Sequence, residues 1–385
     1  MSSHDSLRKN PTILIVIFGF IIYTPLILGV IEKDKITSQI EKRNLATLPK
    51  RPTNALEAHD FPTAFNAYYA DHFGLRELFT KTYFKVINKI NGQSSSDHVT
   101  FGADDWMFLG SIKPGYTHYG DPMGDVTNVN LYTSSELKEF AQAITKKKNW
   151  LHARNIAYVY IIAPNKHTIY FDKLPSYILK KNPYSAMDQL INYLTNNTDI
   201  TIIDVREALS NAKKHQQLYY KTDTHWNYHG ANIAQFEILK KIEKMFPKRI
   251  SATKLKPTQF KPFEKNDGDL ARFANISPIV ERDPRPIFNS QCTKTLSKTD
   301  SYEQHIFSTH CQSQTLNALI FRDSFFTALQ PYFSEKFKNA TFVAERINLK
   351  LLKKYIRIKK PDIVIDEIVE RTLPYLPKNS STAFF

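Results

Sequence analysis

Glycine and cysteine are scarce in this sequence. Eleven glycines in 385 residues are too few for glycine-rich linkers or repeat arrays, and no internal repeat period is visible. With 42% hydrophobic residues, the chain can form one large globular domain and at most a small appendage. The two cysteines are Cys292 and Cys311. We expect them to form a disulfide if the chain lies in an oxidising compartment; two buried thiols are the alternative.

No recognised nucleic-acid-binding module is present, although the chain is basic. The formal net charge is +15 and the isoelectric point is about 9.4. Such a balance favours an anionic partner, which can be nucleic acid, membrane headgroups or an acidic polymer. The positive charges are dispersed, and a cluster such as Lys146–Lys148 fits a solvated helix face. We therefore predict no nucleic-acid partner.

Charged residues are absent from the apolar run Pro11–Ile31. An α-helix needs roughly 20 apolar residues to span a bilayer, and Arg8 and Lys9 place the N-terminus in the cytoplasm by the positive-inside rule. A cleaved signal peptide is the alternative, but the residues that follow, Gly29–Lys33, lack a small-residue cleavage site. We predict a cytoplasmic tail (1–10), a transmembrane anchor (11–31), a juxtamembrane stalk (32–60) and a globular domain outside the membrane (61–385).

Helical and strand patterns alternate from Thr133 onward. Thr133 and Glu136 form a capping-box pattern, and the apolar run Ile156–Ala163 has strand length. We predict further strands at Ile200–Val205, Leu316–Phe321, Thr341–Ala344 and Asp362–Val369, and helices at Tyr184–Tyr193, Gly230–Phe246, Phe325–Phe337 and Leu349–Ile358. The proline-containing segment 247–311 is predicted to be an irregular insertion. This α/β alternation indicates a mainly parallel sheet covered on both faces, with active sites at the carboxyl ends of its strands.

Two polar segments carry the residue types of a serine-based active site. Asp223 and His225 are two residues apart, so in an extended segment both side chains point to the same side and the carboxylate can hold the imidazole. Ser324 lies where a strand turns into a helix, and its amide there can help to bind an oxyanion. A serine hydroxyl needs such a base and orienting anion to act as a nucleophile. Taken alone, Asp323–Ser324 is also a plain helix N-cap, and Asp223–His225 a polar loop.

The glutamate of a zinc-binding His-Glu-x-x-His motif is missing. His225 and His229 have the i, i+4 spacing that can bind zinc together with Asp223. Trp226, however, occupies the position of the glutamate. We therefore predict no metal.

Several blocks together resemble the SGNH-hydrolase-like polysaccharide O-acetyltransferases, the family typified by the alginate acetylation proteins AlgX and AlgJ. The Asp-Thr-His-Trp block at Asp223–Trp226 is fairly specific, and its Asp and His precede Ser324, which permutes the usual SGNH order. The other blocks are Asp71–Arg76, Phe101–Leu109, Ala163–Lys166, Arg322–Phe325 and Lys360–Arg371.

The resemblance implies an SGNH-hydrolase-like (flavodoxin-like) three-layer α/β sandwich with a mainly parallel sheet. It implies Ser324 as the nucleophile, His225 as the general base and Asp223 as the residue that orients His225. The implied reaction moves an acetyl group to hydroxyls of an exported polysaccharide, anionic or neutral, through an acetyl-serine intermediate and without a cofactor. A multi-pass membrane O-acyltransferase is the implied acetyl donor. The implied location is the bacterial inner membrane, with a periplasmic catalytic domain.

The sequence departs from the family at the nucleophile block, where Arg322 replaces the usual glycine. The standard oxyanion-hole description therefore does not carry over, and Arg322 is either structural or in contact with an acidic substrate. Asn165, Lys166, Trp226 and Arg371 are further candidates for substrate binding or the oxyanion hole, with a simple turn or a buried salt bridge as alternatives. The same triad also fits an acetylesterase that uses water as the acceptor. A non-catalytic polysaccharide-binding scaffold is the third hypothesis.

Overall fold

The structure is a computed structural model of the chain, and it divides into two compact units. Unit 1 comprises Met1–Ser95 with Arg272–Ser277, and unit 2 comprises Ser96–Ala271 with Pro278–Phe385. The described residues are 11–31, 34, 37–38, 43–76, 78–79, 82, 99–111, 121–266, 268–274, 276, 279–288, 292 and 306–375.

The described part of unit 1 contains two long helices. Its elements are helix α1 (Pro11–Ile31), the paired antiparallel strands β1 (Thr37–Ser38) and β2 (Arg43–Asn44), and helix α2 (Ala55–His72). Helix α2 begins inside the segment predicted as a stalk, because the side chain of Asn54 caps it and accepts a hydrogen bond from the amide of Glu57.

Helix α1 carries the long apolar run. Its window Thr12–Gly29 has a mean hydropathy of 2.4, and almost none of the window is buried against the rest of the protein. By length and composition this helix can cross a membrane, and a signal sequence near an N-terminus meets the same criteria.

The remaining strands and helices build the sheet and its surroundings. In chain order they are β3 (Val99–Phe101), β4 (Met107–Leu109), α3 (Pro122–Val126), α4 (Ser134–His152), β5 (Ala157–Ala163), α5 (Lys166–Ile169), α6 (Ala186–Asn197), β6 (Thr201–Asp204), α7 (Arg206–Ala212), α8 (Tyr228–Met245), β7 (Phe260–Asn266), α9 (Asp269–Phe273), β8 (Val280–Pro286), β9 (Ile306–His310), β10 (Asn317–Phe321), α10 (Gln330–Ser334), β11 (Asn339–Val343), α11 (Leu349–Lys359) and β12 (Ile363–Val369).

The centre of unit 2 is a six-stranded sheet with the order β6-β5-β12-β10-β11-β9. Strands β6, β5, β12, β10 and β11 pair in parallel, and β9 closes the edge antiparallel to β11. The predicted mainly parallel sheet is confirmed. Because the five parallel strands run the same way, their carboxyl ends lie along one edge of the sheet.

Both faces of the sheet are buried, which explains the uninterrupted apolar runs in its strands. On β5, for example, Val159 and Ile161 pack with one cluster of buried side chains, to which α7, α8 and α10 contribute. Tyr158 and Tyr160 pack with a second cluster, which is covered by α4, α6 and α11. The predicted capping box at Thr133 and Glu136 is present at the start of α4.

The helix predicted over Phe325–Phe337 is wrong in its extent. A 3₁₀ turn covers Ser324–Ala328, and the short helix α10 follows. Pro331 lies in the first turn of α10. Since proline has no amide hydrogen, it cannot continue a helical hydrogen-bond ladder from the preceding turn.

The segment predicted as an irregular insertion contains regular structure. Strands β7 and β8 pair as an antiparallel ribbon over seven residue pairs, one of which is Pro262 with Pro284. Prolines are tolerated in such a ribbon because its outer edges need no backbone donors. Strand β9 joins the central sheet from the same segment, and a disulfide connects Cys292 with Cys311.

Gly230 lies where helix α8 starts against the neighbouring chain. A Cβ atom added at Gly230 would lie 2.4 Å from the carbonyl oxygen of Leu218 and 2.9 Å from Cβ of Trp226. We expect Gly230→Ala to lower the free energy of unfolding by about 2 kcal/mol, because the backbone must shift to relieve this overlap. Lys241→Ala, on the exposed side of the same helix, should change it by less than about 0.5 kcal/mol. Urea unfolding followed by circular dichroism measures both variants, and equal stabilities would contradict the prediction.

Candidate active site

The loop between Tyr219 and Asn227 is folded back on itself. Tyr219 and Trp226 form an antiparallel bridge, and the amide of Tyr220 donates to the carbonyl of His225. Asn227 then caps helix α8, since its side chain accepts from two amides in the first turn. Asp223 and His225 are thus carried by a short loop that is closed at its base.

Asp223, His225 and Ser324 form a continuous chain of hydrogen bonds. Oδ1 of Asp223 lies 2.7 Å from Nδ1 of His225, and Nε2 of His225 lies 2.8 Å from Oγ of Ser324. The side chain of Asp223 is 6% exposed and that of His225 is 25% exposed. The carboxylate is therefore shielded, while the imidazole and the hydroxyl lie towards solvent.

The charge of Asp223 is stabilised by its neighbours. Burial acts to raise its pKa, but the hydrogen bond and charge of His225, together with the Lys265 ammonium, hold the pKa of Asp223 well below its usual range. Nζ of Lys265 lies 3.0 Å from Oδ2 of Asp223, and the amide of His225 donates to Oδ1. Asp223 is thereby kept as the anion that the neighbouring imidazole requires.

Ser324 follows the carboxyl end of β10, and Asp323 shapes its turn. Oδ1 of Asp323 accepts from the amide of Phe325 at 2.9 Å, and Oδ2 accepts from the amide of Val369 at 2.6 Å. The amide of Asp323 donates to the buried carboxyl group of Glu367. Burial and the nearby charge of Asp323 raise the pKa of Glu367 well above its usual value. Strand β12 therefore holds the serine turn from both sides.

Lys166 holds the loop that carries Asp223 and His225. Its buried Nζ donates hydrogen bonds to the carbonyl oxygens of Tyr220, Lys221 and Asp223 at 2.8–3.0 Å. An ammonium group has three protons and no acceptor, so each proton has one partner here. Burial lowers the pKa of Lys166 to about 7, against the opposing charges of Asp269, Asp223 and Glu281. The structure places Lys166 under the loop rather than in the open site.

Trp226 also lies in the interior. Its Nε1 donates to the carbonyl oxygen of Phe325 at 2.9 Å, and its ring meets the Phe325 ring edge to face at 5.3 Å. This contact joins the loop of His225 to the turn of Ser324, and it explains why a tryptophan suits this position.

Arg371 and Asn165 lie beside the hydrogen-bonded chain, and Arg322 turns away from it. The guanidinium of Arg371 lies over the Phe325 ring at 5.2 Å, and that ring contacts the His225 ring at 4.8 Å. Nη1 of Arg371 donates to Oδ1 of Asn165 at 3.4 Å. Arg322 instead folds back and donates to the carbonyl of Asp323 and the hydroxyl of Thr327.

Asp269 and Lys265 contact the site, although the sequence did not identify them as candidate site residues. Asp269 accepts from the amide and hydroxyl of Thr224, and its Oδ2 lies 3.8 Å from Nδ1 of His225. Both residues belong to the segment that was predicted to be irregular. The sequence feature that could have indicated them is Gly268, next to Asp269. A Cβ atom at Gly268 would lie 2.1 Å from the carbonyl oxygen of Thr222. A glycine is required where two backbones approach so closely.

The histidine pair considered for zinc does not converge. The ring of His229 packs against Phe260 at 4.6 Å. Among the described residues, Asp223, His225 and Asp269 are the three potential ligands with donor atoms within 4.8 Å of one another. Their hydrogen bonds with each other and with Thr224 account for this closeness.

Residues 99–317, more than half of the chain, match the family described as an SGNH hydrolase-like domain of the acetyltransferase AlgX. A similar curated protein is the probable alginate O-acetylase AlgJ of Azotobacter vinelandii, at 23% identity over 222 residues. The aligned region is 57% of this chain and 52% of that protein, so the chain spans about half the length of this relative.

Solved structures with a similar fold include a DHHW family protein from Eubacterium siraeum, at 16% identity and a TM-score of 0.51. That alignment covers 74% of this chain and 99% of the other. The O-acetyltransferase domain of AlgJ from Pseudomonas putida aligns at 20% identity with a TM-score of 0.41, over 72% of this chain and 92% of that one. The similarity to the DHHW family protein, at a TM-score of 0.51, concerns the fold alone.

We expect Lys166→Met to loosen the loop of Asp223 and His225. The variant removes the donor from the buried carbonyl oxygens of Tyr220 and Asp223, while the Lys221 carbonyl keeps its bond from the Met107 amide. This loss should lower the free energy of unfolding by about 3 kcal/mol. Lys173→Met is the matched control, because Lys173 pairs with Asp104 at the surface and such pairs contribute less than about 1 kcal/mol. Thermal unfolding of both variants gives the comparison. A Lys166→Met protein as stable as Lys173→Met would show that the ammonium does not hold the loop.

Proposed function

Because this chain belongs to the AlgX/AlgJ-like family of SGNH hydrolase-like acetyltransferases, we propose that it transfers acetyl groups to hydroxyls of a polysaccharide. The observation that carries this proposal is the chain of hydrogen bonds from Asp223 through His225 to Ser324. A carboxylate, an imidazole and a hydroxyl in this order are the parts needed to generate a serine nucleophile.

The first half of the reaction forms the acetyl-serine. Nε2 of His225 takes the proton of the Ser324 hydroxyl while Oγ attacks the acetyl carbonyl carbon. The resulting imidazolium is stabilised by the anionic Asp223. Collapse of the tetrahedral intermediate breaks the bond to the leaving group of the donor, which receives the proton from His225.

The second half transfers the acetyl group to the acceptor. A sugar hydroxyl gives its proton to His225 and attacks the acetyl-serine, and Ser324 leaves with a proton returned by His225. The amide of Ser324, at the start of its 3₁₀ turn, is our candidate donor to the oxyanion. Arg371 is the candidate cation beside the substrate, because its guanidinium lies over Phe325 next to His225.

Lys166 and Trp226 act in this proposal as positioning residues. Both side chains are almost fully buried, and their hydrogen bonds end on backbone carbonyls of the two segments that carry the triad. Arg322 and Asn165 are assigned to support of the serine turn and of Arg371 rather than to the chemistry.

Helix α1 is proposed to anchor the protein in the bacterial inner membrane, with unit 2 in the periplasm. Its length and apolar composition support this, and Arg8 and Lys9 set its orientation. The acetyl donor is proposed to come from a multi-pass membrane O-acyltransferase. We propose no metal or diffusible cofactor, since the triad itself supplies the base and the nucleophile.

An acetylesterase is the second candidate. The same acetyl-serine intermediate would be hydrolysed if water, rather than a sugar hydroxyl, reaches it. The exposed quarter of the His225 side chain is the observation that favours it. Acceptor-dependent product formation separates the two functions.

We expect Ser324→Ala to abolish both release of acetate from 4-nitrophenyl acetate and acetylation of oligosaccharides. The full chain in detergent is incubated with the ester and either a mannuronate or a neutral cello-hexasaccharide, and products are detected by mass spectrometry. Acetylated sugar in the wild type supports transfer, and acetate alone supports the esterase. Ser313→Ala, a serine outside the triad, serves as the control. Equal activity of wild type and Ser324→Ala would overturn both enzymatic functions and leave the scaffold hypothesis.

We expect Asp223→Asn to lower kcat for the ester by roughly 10⁴-fold, because the amide cannot stabilise the imidazolium and favours the wrong tautomer. Asp269→Asn should cost less than about 10-fold, since its carboxylate lies 3.8 Å from the ring and its hydrogen bonds go to Thr224. Steady-state kinetics on the two variants test the assignment. A larger loss for Asp269→Asn would make Asp269 the orienting residue instead.

A further inference from the structure

A second concave site lies in unit 2, outside the triad. Its space is about 320 Å³ including the open mouth, and the side chains around it include Asp125, Thr168, Phe171, Asp188, Arg206 and Glu370. We call it the acidic pocket. Its lining includes three carboxyl groups, the guanidinium of Arg206, the ammonium of Lys180 and one aromatic ring.

Asp125 is a buried residue in the wall of the acidic pocket, and one of its carboxyl oxygens has no hydrogen-bond partner among the described residues. The residue is 8% exposed, and its Oδ1 accepts a hydrogen bond from Asn130 at 3.0 Å. Within the described part of the chain, its buried Oδ2 has no hydrogen-bond partner. A buried oxygen without a partner costs free energy, commonly about 1–3 kcal/mol. A small shift of the Asp125 side chain towards the pocket would let a bound hydroxyl group supply the missing hydrogen bond.

The other polar atoms of the pocket mostly have partners. Oε2 of Glu370 accepts from the amide of Asn165 and the hydroxyl of Thr168, and Arg206 bonds to Asp188 and Asp204. Burial raises the pKa of Asp125 to about 8, opposed by the Asn130 hydrogen bond and reinforced by Glu370. Near neutral pH the Asp125 carboxyl group carries a proton, so Oδ2 can donate as well as accept.

This chemistry fits a hydroxyl group, which also donates and accepts. A chelated metal fits less well, because no three possible ligands from this pocket come within 4.8 Å of each other among the described residues. Lys180 also lines the pocket, and its ammonium lies over the Phe171 ring, 5.3 Å from the ring centre. It offers a positive charge and hydrogen-bond donors to a sugar residue.

The acidic pocket and Ser324 lie on the same edge of the sheet. Thr168, Arg206 and Glu370 follow the carboxyl ends of β5, β6 and β12, and Ser324 follows β10. In the order β6-β5-β12-β10, β5 and β6 are two and three strands from β10. At about 4.8 Å per strand, this separation is roughly 10–14 Å, which a short oligosaccharide can bridge.

We propose that the acidic pocket is an acceptor subsite, in which Asp125 binds a hydroxyl group of a sugar residue upstream or downstream of the one acetylated at Ser324. This inference rests on the proposed function. It adds that the polysaccharide lies along the carboxyl edge of the sheet, from β10 towards β6. The subsite strengthens acceptor binding without touching the reacting atoms.

Binding of hexasaccharides to the full chain in detergent, measured by isothermal titration calorimetry, tests the subsite. The probes are a mannuronate and a cello-hexasaccharide. We expect Asp125→Ala to weaken the tighter of the two by about 10-fold or more, the loss of one hydrogen bond to a buried group. Asp125→Asn keeps the bond to Asn130 and a donor on the other atom, and should restore most of the affinity. Asp199→Ala is the matched control, because Asp199 precedes β6 at the opposite edge.

Binding measurements test the subsite, and activity measurements test the proposed function, so the two hypotheses can be rejected separately. Ser324→Ala should bind the hexasaccharide as tightly as the wild type while losing acetyl transfer. In the wild type, KM should be lower for a hexasaccharide than for a disaccharide, and Asp125→Ala should lose that difference with less than a 3-fold change in kcat.

Lys180→Ala, at an exposed position where the substitution should not disturb folding, should weaken binding of the mannuronate probe more than binding of the neutral one. Unchanged affinity in Asp125→Ala, or no binding of either probe to the wild type, would overturn the subsite. If acetyl transfer persisted in Ser324→Ala while binding behaved as expected, the proposed function would be overturned and the subsite would stand.

Discussion

The geometry of the site depends on one buried ammonium group. Lys166 donates to three carbonyl oxygens of the loop that carries Asp223 and His225. The Lys221 carbonyl also accepts from the Met107 amide, whereas the buried carbonyls of Tyr220 and Asp223 have Lys166 as their donor. Since an unpaired buried carbonyl is costly, the loop is held in one shape. Lys166 follows the carboxyl end of β5, so the sheet sets the position of the loop through a single side chain.

The sheet brings the other half of the site to the same place. Ser324 follows β10, and the neighbouring strand β12 anchors its turn through Glu367 and the amide of Val369. Trp226 then connects the two halves by its bond to the carbonyl of Phe325. Buried carboxyl groups, an ammonium and an indole thus act on backbone atoms, while Ser324 and His225 remain accessible. The acidic pocket lies further along the same edge, so one sheet edge would serve both the proposed chemistry and the proposed acceptor binding.

Much of the fold follows from local patterns. The apolar runs at β5, β10 and β12 and the capping box at Thr133 and Glu136 are determined by neighbours in sequence, and they were predicted correctly. The helix after Ser324 was overextended because the apolar pattern outweighed the effect of Pro331. The ribbon of β7 and β8 was not predicted, because prolines usually interrupt strands. A two-stranded ribbon tolerates them at its outer edges.

Residue types and spacing determined the apolar helix α1 and the α/β class, and they made Asp223, His225 and Ser324 candidates whose roles the family resemblance then implied. Each of these is a local property, readable within a few residues of the chain. Tertiary structure alone decided that Asp223, His225 and Ser324 form one hydrogen-bonded chain, that Lys166 and Trp226 are buried supports, that Arg322 turns away, and that Lys265 and Asp269 join the site. These contacts link segments that are far apart in sequence, and their distances depend on strand order and loop packing, which no local pattern contains.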